Sequence, residues 1–443
     1  MKWKETAKSI VLFLLIVSMV LIYGFNWVYR LDREEIMRGK TWVAGFARFF
    51  GIIQNIDQTA LGVEVTPAAY PLKMAARSEA GLSFVQYDRE SVMGLYDRIA
   101  PLLSAALEAP QEAGLAEEAE YKGALSGRMV YLGFDGDIPF YALSEWLNVT
   151  QKKEYDFTAR HVVLLDDDGM LSVYVRGGAS SPIHRIKTLV SSAPLLEAIG
   201  EFAPSPCSFA FESGEEYWSI EPETILPKSP PQINRIEGYP PSFTNGGQAI
   251  QTLLEAFSYN PYTVQSYPEG NGTKVYVENL STLRIEPDGT VHFLVSDAQG
   301  GIPVSGILSG ENSNLAVVRM IEAARFLVDR ATANFRADAV PYLRSCQFDE
   351  GTQSYIVSFD MEVSGMPVLL SGGPAAEVEI KDGMICSAVL RLHSYKTTDS
   401  ENYLLPLRQA VAVYSPSEEL NGALWARYED LGEPEIAASY FIS

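Results

Sequence analysis

Leu283-Arg284-Ile285-Glu286-Pro287-Asp288-Gly289-Thr290-Val291 reads as an apolar strand, an Asp-Gly turn and the start of a second strand, and this stretch decides the fold class. Asp-Gly is the strongest short hairpin signal, because both residues tolerate the left-handed backbone that a tight reversal demands. Upstream, Ile250, Leu253, Leu254 and Phe257 fall on one helical face, and 274–277 reads as a further strand. Downstream, the second arm runs over 291–295. The same order then returns. A long helix from 315 to about 329 uses Val318, Leu327 and Val328, and strands follow at 355–359 and 368–370. Residues 378–380 enter the turn Asp382-Gly383, and 385–392 leave it. Helices packed on antiparallel sheet are an α+β arrangement, here used twice over: a middle domain at 247–330 and a similar C-terminal domain at 331–443. The likeness is architectural rather than a tight sequence repeat. A final helix around 403–414 precedes a tail with Trp425, Tyr428 and Tyr440.

Working back toward the N-terminus, Pro222, Pro227, Pro230, Pro231, Pro240, Pro241 and Gly246-Gly247 punctuate a segment without periodicity, which reads as a linker at 226–246. Residues 30–225 form an N-terminal α+β domain. Its clearest helix lies near 90–107, with Val92, Leu95, Tyr96, Ile99, Leu102 and Leu103 at three-to-four spacing; Pro101 predicts a kink or a boundary there. A charged stretch occupies 110–120, and 128–134 reads as a strand. The clearest hairpin is 161–175, turning through Asp166-Asp167-Asp168-Gly169.

Before that domain lies a long apolar run. No charged residue occurs between Ser9 and Tyr29, and within 10–28 only Ser18, Gly24 and Asn26 interrupt the hydrophobes. At about 1.5 Å rise per residue, roughly twenty helical residues cross the roughly 30 Å apolar core of a bilayer. Lys2, Lys4 and Lys8 precede the run, and Trp27 and Tyr29 mark its far edge. A cleaved signal peptide needs small residues just past the core, where this chain has mostly bulky ones from Tyr23 to Arg30. The reading is therefore an uncleaved anchor: a cytoplasmic head at 1–9, a single transmembrane helix at 10–29, and the body outside the cytoplasm at the cell membrane. Ser18, Gly24 and Asn26 are the candidate helix–helix contact positions, with tolerated variation in a plain anchor as the competing explanation.

Charge and composition narrow the partners. The chain carries −22 in total and +3 over its first forty residues, so the body holds −25. Such a surface repels nucleic acid phosphates, and an electrostatically steered partner would have to be basic. Apolar residues at 47% and aromatics at 11% exclude wholesale disorder, and about 400 residues exceed one core. Cys207, Cys346 and Cys386 are odd in number, widely spaced and without a C-x-x-C pair, which favours free thiols over a disulfide framework.

Catalytic signatures are missing. None of His161, His184, His292 and His393 is followed by Glu, so H-E-x-x-H is absent. There is no S-x-x-K, no G-x-S-x-G, no Walker loop and no G-x-G-x-x-G after a strand. Strand histidines such as His161, His292 and His393 read as satisfied core residues rather than ligands. The acidic turn at 166–168 lacks the alternating oxygens of an EF-hand, and turn chemistry accounts for it. No residue set calls for a metal, a cofactor or a catalytic centre, and no carboxylate pair stands out among the acids.

The whole layout resembles the YycH family and its relative YycI of Gram-positive bacteria. The resemblance is carried by Met1-Lys2-Trp3-Lys4-Glu5-Thr6-Ala7-Lys8-Ser9-Ile10, by Ile220-Glu221-Pro222-Glu223-Thr224-Ile225-Leu226-Pro227, and by 282–291 (T-L-R-I-E-P-D-G-T-V). It continues through 355–368, with Gly365-Met366-Pro367-Val368, and Tyr403-Leu404-Leu405-Pro406-Leu407 with Gln409-Ala410. These are strand, turn and helix positions without catalytic content. The resemblance implies a non-enzymatic, membrane-anchored regulator of the WalK sensor histidine kinase of the cell-wall stress system. It also implies association with that kinase and a YycI-like protein through membrane helices and ectodomains. The 110s insertion has no counterpart in it. Competing readings are an extracytoplasmic ligand- or wall-sensing protein with a pocket between domains, and an anchored hydrolase.

Overall fold

The computed structural model of the chain describes residues 68–442 apart from 150–154, 179, 201, 203–204, 218–219, 242, 244–246, 298–299, 308–312 and 415–421. The anchor at 10–29, with Ser18, Gly24 and Asn26, lies outside the described residues. Among the described residues no helix is long and apolar enough to cross a membrane.

The first sheet comprises β1 (Lys73–Ser78), β2 (Gly81–Gln86), β3 (Pro110–Ala116), β4 (Met129–Pro139), β5 (Thr158–Asp167), β6 (Met170–Arg176) and β7 (Ile183–Ser191). Its strands lie antiparallel in the order β2-β1-β4-β5-β6-β7-β3. Alternation along β4 sorts its two faces. Val130, Leu132 and Phe134 pack under α1 (Arg89–Glu108), with Val92, Tyr96 and Ile99 in the same core. Met129 and Tyr131 point the other way, toward Tyr121, Ala124 and Leu125 of α2 (Glu118–Ser126). Two further helices, α3 (Phe140–Trp146) and α4 (Ala193–Gly200), complete this part.

After the short strands β8 (Cys207–Phe209), β9 (Ile225–Pro227) and β10 (Ile233–Tyr239) comes α5 (Gly247–Ala256). A four-strand meander follows: β11 (Gln265–Pro268), β12 (Lys274–Glu278), β13 (Ser281–Ile285) and β14 (Thr290–Val295); β15 (Ile302–Pro303) then leads to α6 (Asn314–Thr332). The pattern repeats with β16 (Ala339–Asp349), β17 (Ser354–Val363), the short β18 (Met366–Leu370), β19 (Ala376–Lys381) and β20 (Met384–Arg391). The last strands of the two meanders pair with each other, Phe293 opposite Ala388. One antiparallel sheet therefore runs β11-β12-β13-β14-β20-β19-β17-β16, with its two halves in mirror sequence order. The buried faces of α5 and α6 share the core beneath it. The chain ends with β21 (Ser394–Asn402), α7 (Leu407–Tyr414), β22 (Leu424–Asp430), β23 (Glu435–Ile436) and β24 (Ala438–Ile442).

Three elements differ from the sequence expectation. Helix α1 has no boundary at Pro101 and runs on to Glu108. Proline deletes one interior hydrogen bond, and the buried stripe Val92, Tyr96, Ile99, Leu103 and Leu107 holds the helix across that gap. The charged insertion at 110–120 is largely β3, an edge strand laid on β7. Within the proline-rich segment, β10 is the centre of a small sheet between β21 and β23. All three cysteines are free thiols.

The hairpin at β5–β6 turns through Asp168 and Gly169, both at positive φ. Asp166 caps it: its nearly buried carboxylate accepts from the Ser192 hydroxyl, the Gly169 N–H and the Arg128 guanidinium. Those donors, the Ser192 hydroxyl foremost, hold Asp166 below the usual carboxylate range. A depressed carboxylate stabilises the fold above its unfolded pKa of about 3.9 and loses that contribution as pH falls through the folded value. Asp166→Asn is therefore expected to cost about 1–3 kcal/mol at pH 7 and far less at pH 2–3. Denaturant melts of the two proteins at both pH values check it.

Candidate functional site

A buried polar cluster lies where residues 220–227 form a strap on the first sheet, against the face carrying Tyr131, Val163 and Tyr174. Glu221 and Glu223 lie in a turn closed by the Thr224 N–H donating to the Glu221 carbonyl at 3.0 Å, and that turn brings both carboxylates to the sheet. Opposite them, strand register sets a row across the sheet: Lys73 faces Gly133, Gly133 faces His161, and His161 faces Arg176. A methyl at Gly133 would lie 2.6 Å from Lys73 Cε and 2.8 Å from the Tyr131 hydroxyl oxygen. Glycine leaves the gap into which the Lys73 side chain lies.

Every member of this cluster is buried. Arg176 Nη1 donates to Glu223 Oε1 at 3.0 Å, and Glu118 Oε2 lies 3.6 Å from the same nitrogen. The Tyr131 hydroxyl meets His161 Nδ1 at 2.8 Å, while His161 Nε2 stands 3.3 Å from Glu221 Oε2 without hydrogen-bond alignment. Lys73 places its ammonium 3.8 Å above the Trp425 ring; burial pushes its pKa down to about 8 against the pull of Glu221, Asp135 and Glu223. Burial raises Glu221, yet His161, Lys73 and Arg160 outweigh it and hold the carboxyl below its ordinary range. Because Trp425 belongs to β22, this cluster ties the strap, the first sheet and the C-terminal strands together.

A second cluster joins the two large sheets. Near Gly136, β4 leaves register with β5 and makes one parallel pairing with β16, Asp137 beside Ser345. Asp135 accepts from Arg427 Nη2 at 2.7 Å and from the Tyr342 hydroxyl at 2.6 Å. Arg344 donates to Asp360 at 3.0 Å, and Arg160 to Asp137 at 3.3 Å. All of these except Tyr342 line a cavity of ≈ 210 Å³. Burial raises the Asp360 carboxyl.

Beside this joint opens a larger cavity of ≈ 900 Å³. Tyr141, Phe157, Phe348 and Tyr355 give it aromatic walls, the start of α6 at Asn314 and Leu315 borders it, and Asp156 adds a carboxylate. Ser144, Glu145, Asp156, Thr158, Ser313 and Asn314 alternate with the apolar side chains, so the wall is of mixed polarity, in a space large enough for a small molecule.

Of the histidines read as satisfied strand residues, His292 is partly exposed near Glu286, and His393 stacks on Tyr395 but leaves its buried Nδ1 without a hydrogen-bond partner. His161 departs from that reading, since only its Nδ1 is bonded. Sequence analysis missed its meeting with Glu221 and Glu223, which lie some sixty residues away. The only local signal was a pair of acids flanking Pro222, a residue that favours a turn.

No family model matches this sequence, and no curated protein matches it. In architecture the chain is similar to the crystal structure of YycH from Bacillus subtilis, with a TM-score of 0.56 over 86% of this chain and 95% of that one. The fold is YycH-like. At 13% identity the likeness concerns the fold alone, and it extends across both large sheets rather than one domain.

Proposed function

We propose that this chain is a membrane-anchored, non-enzymatic regulator of a two-component sensor histidine kinase in cell-envelope homeostasis, acting with a YycI-like partner. The observation that carries this reading is the likeness to YycH over nearly the whole of both chains. The anchor at 10–29 supplies the membrane attachment, with the body outside the cytoplasm. Its regulatory effect is a population shift: contacts through the anchor and the body favour one signalling state of the kinase by differential affinity.

The way the chain enters the folded unit supports coupling between anchor and body. Ala68 accepts from the Leu343 N–H at 3.0 Å, Tyr70 donates to Glu362 at 3.1 Å, and Lys73 sits in the strap cluster. The first described residues thus touch both large sheets.

The deciding experiment replaces Ser9 to Val28 with a polyleucine span and follows kinase-dependent transcription in the native host. Regulation should weaken while the protein stays in the membrane, because close helix packing needs small residues at positions such as Ser18 and Gly24. Full regulation by the polyleucine protein reduces the anchor to a passive tether, and a C-terminal reporter active only in the cytoplasm overturns the topology. The ≈ 900 Å³ cavity favours one second reading, a body that senses a small extracytoplasmic ligand. Regulation that survives the anchor swap but responds to wall fragments would favour it.

A further inference from the structure

His161, Glu221 and Glu223 each bring one donor atom to a common point, the three atoms lying within 4.8 Å of one another and deeply buried. His161 Nε2, Glu221 Oε2 and Glu223 Oε2 all lack a hydrogen-bond partner. The residues themselves are 1%, 2% and 1% exposed. Leaving a buried polar atom unsatisfied is costly, so three in one cluster mark a place built for something that accepts all three lone pairs.

We propose that His161, Glu221 and Glu223 bind a divalent transition cation of the Zn²⁺ class beneath the strap. One imidazole and two carboxylates are a donor set suited to zinc, which takes nitrogen and oxygen at about 2.0–2.2 Å. Tetrahedral bonds of that length set adjacent donors roughly 3.3 Å apart, the order of the 3.3 Å between His161 Nε2 and Glu221 Oε2. The remaining donor closes by a short side-chain movement. Tyr131 completes the arrangement from behind: with the metal on Nε2, the Nδ1–H would donate to the Tyr131 hydroxyl oxygen 2.8 Å away, which holds the ring with its Nε2 lone pair facing the carboxylates. The opposing charges are explicit. Arg176 holds the other Glu223 oxygen and Lys73 attracts Glu221, so the cation competes with two resident positive groups. That competition selects a strongly bound metal over Mg²⁺ or Ca²⁺, which prefer all-oxygen shells. Bound there, the ion joins β5 to the strap in one coordination sphere and stabilises the folded chain by linkage.

The experiment purifies the full chain in detergent from zinc-supplemented cells and counts metal per chain by mass spectrometry, with zinc K-edge absorption to identify the neighbouring atoms. The native chain should hold close to one zinc, with one imidazole and otherwise oxygen neighbours. His161→Gln and Glu223→Gln should each lower occupancy at least tenfold. Tyr131→Phe, a change in a positioning residue, should weaken retention against a chelator by about 10–100-fold while leaving the neighbour set unchanged. A native chain that carries no zinc overturns the proposal, and a buried water then bridges the three atoms. So does zinc whose occupancy is indifferent to His161→Gln and Glu223→Gln, or whose neighbours include no single imidazole. The native chain's own metal count stands even if a variant fails to fold.

Discussion

Replacing Gly136 by valine is expected to unfold the chain at temperatures where the native protein is intact. Gly136 sits where β4 crosses to β16, and a Cβ there would fall onto the Arg344 backbone, 2.7 Å from its carbonyl carbon and 2.8 Å from its Cα. Both obstacles are main chain, so no rotamer change relieves them. Overpacking a tight core site costs about 1–3 kcal/mol for added methylenes, and a branched side chain against a rigid backbone belongs at or above the top of that range. Gly136→Ala should lose about 2 kcal/mol and Gly136→Val more than about 3 kcal/mol. Gly94 is the matched control. It lies inside α1, and a methyl added there would meet nothing within 4 Å, so Gly94→Ala should raise stability by about 0.5–1 kcal/mol. Thermal and urea melts of the three variants decide it. Gly136→Val melting like the native chain would mean that the sheets are not held together at this crossing.

The elements that were legible in the sequence are those whose stability is local. Helices α1, α5 and α6 carry apolar stripes at helical spacing, and the β5–β6 and β19–β20 reversals carry Asp-Gly at positive φ. Residues 110–116 gave no such signal. The strand P-Q-E-A-G-L-A is exposed along nearly all its length and exists because β7 offers it a free edge, a long-range fact. Strand β10 was hidden by the prolines that flank it, Pro230-Pro231 and Pro240-Pro241, and its partner β21, S-Y-K-T-T-D-S-E-N, is mostly polar. Neither shows the alternation by which strands are recognised. The strap cluster was invisible for another reason. Lys73, Gly133, His161 and Arg176 become neighbours only through the register of four strands, and each alone reads as an ordinary strand residue. Glu221 and Glu223 were visible locally only as acids flanking a proline, and the turn that brings both to the sheet closes against that sheet.

Arg427→Met should produce the other large loss, about 3–5 kcal/mol, because it strands a buried carboxylate. The side chains of Arg427 and Asp135 are 12% and 5% exposed, and Arg427 donates to Asp135 at 2.7 Å. Without the guanidinium, Asp135 keeps the Tyr342 hydroxyl but no cation on either oxygen. Methionine replaces the arginine stem with apolar volume, so the loss reports the charge rather than a cavity. The pair also spans the molecule: Asp135 belongs to β4 and Arg427 to β22. If that span is what holds the two parts together, removing both charges should restore much of the stability, since the cost of an unpaired buried charge exceeds the net contribution of the pair. Arg427→Met with Asp135→Asn is thus expected to be less destabilised than Arg427→Met alone, with a coupling energy above about 1 kcal/mol in the double-mutant cycle. Additive losses in that cycle would show that Asp135 and Arg427 act separately, and the joint would then rest on the close backbone approach at Gly136.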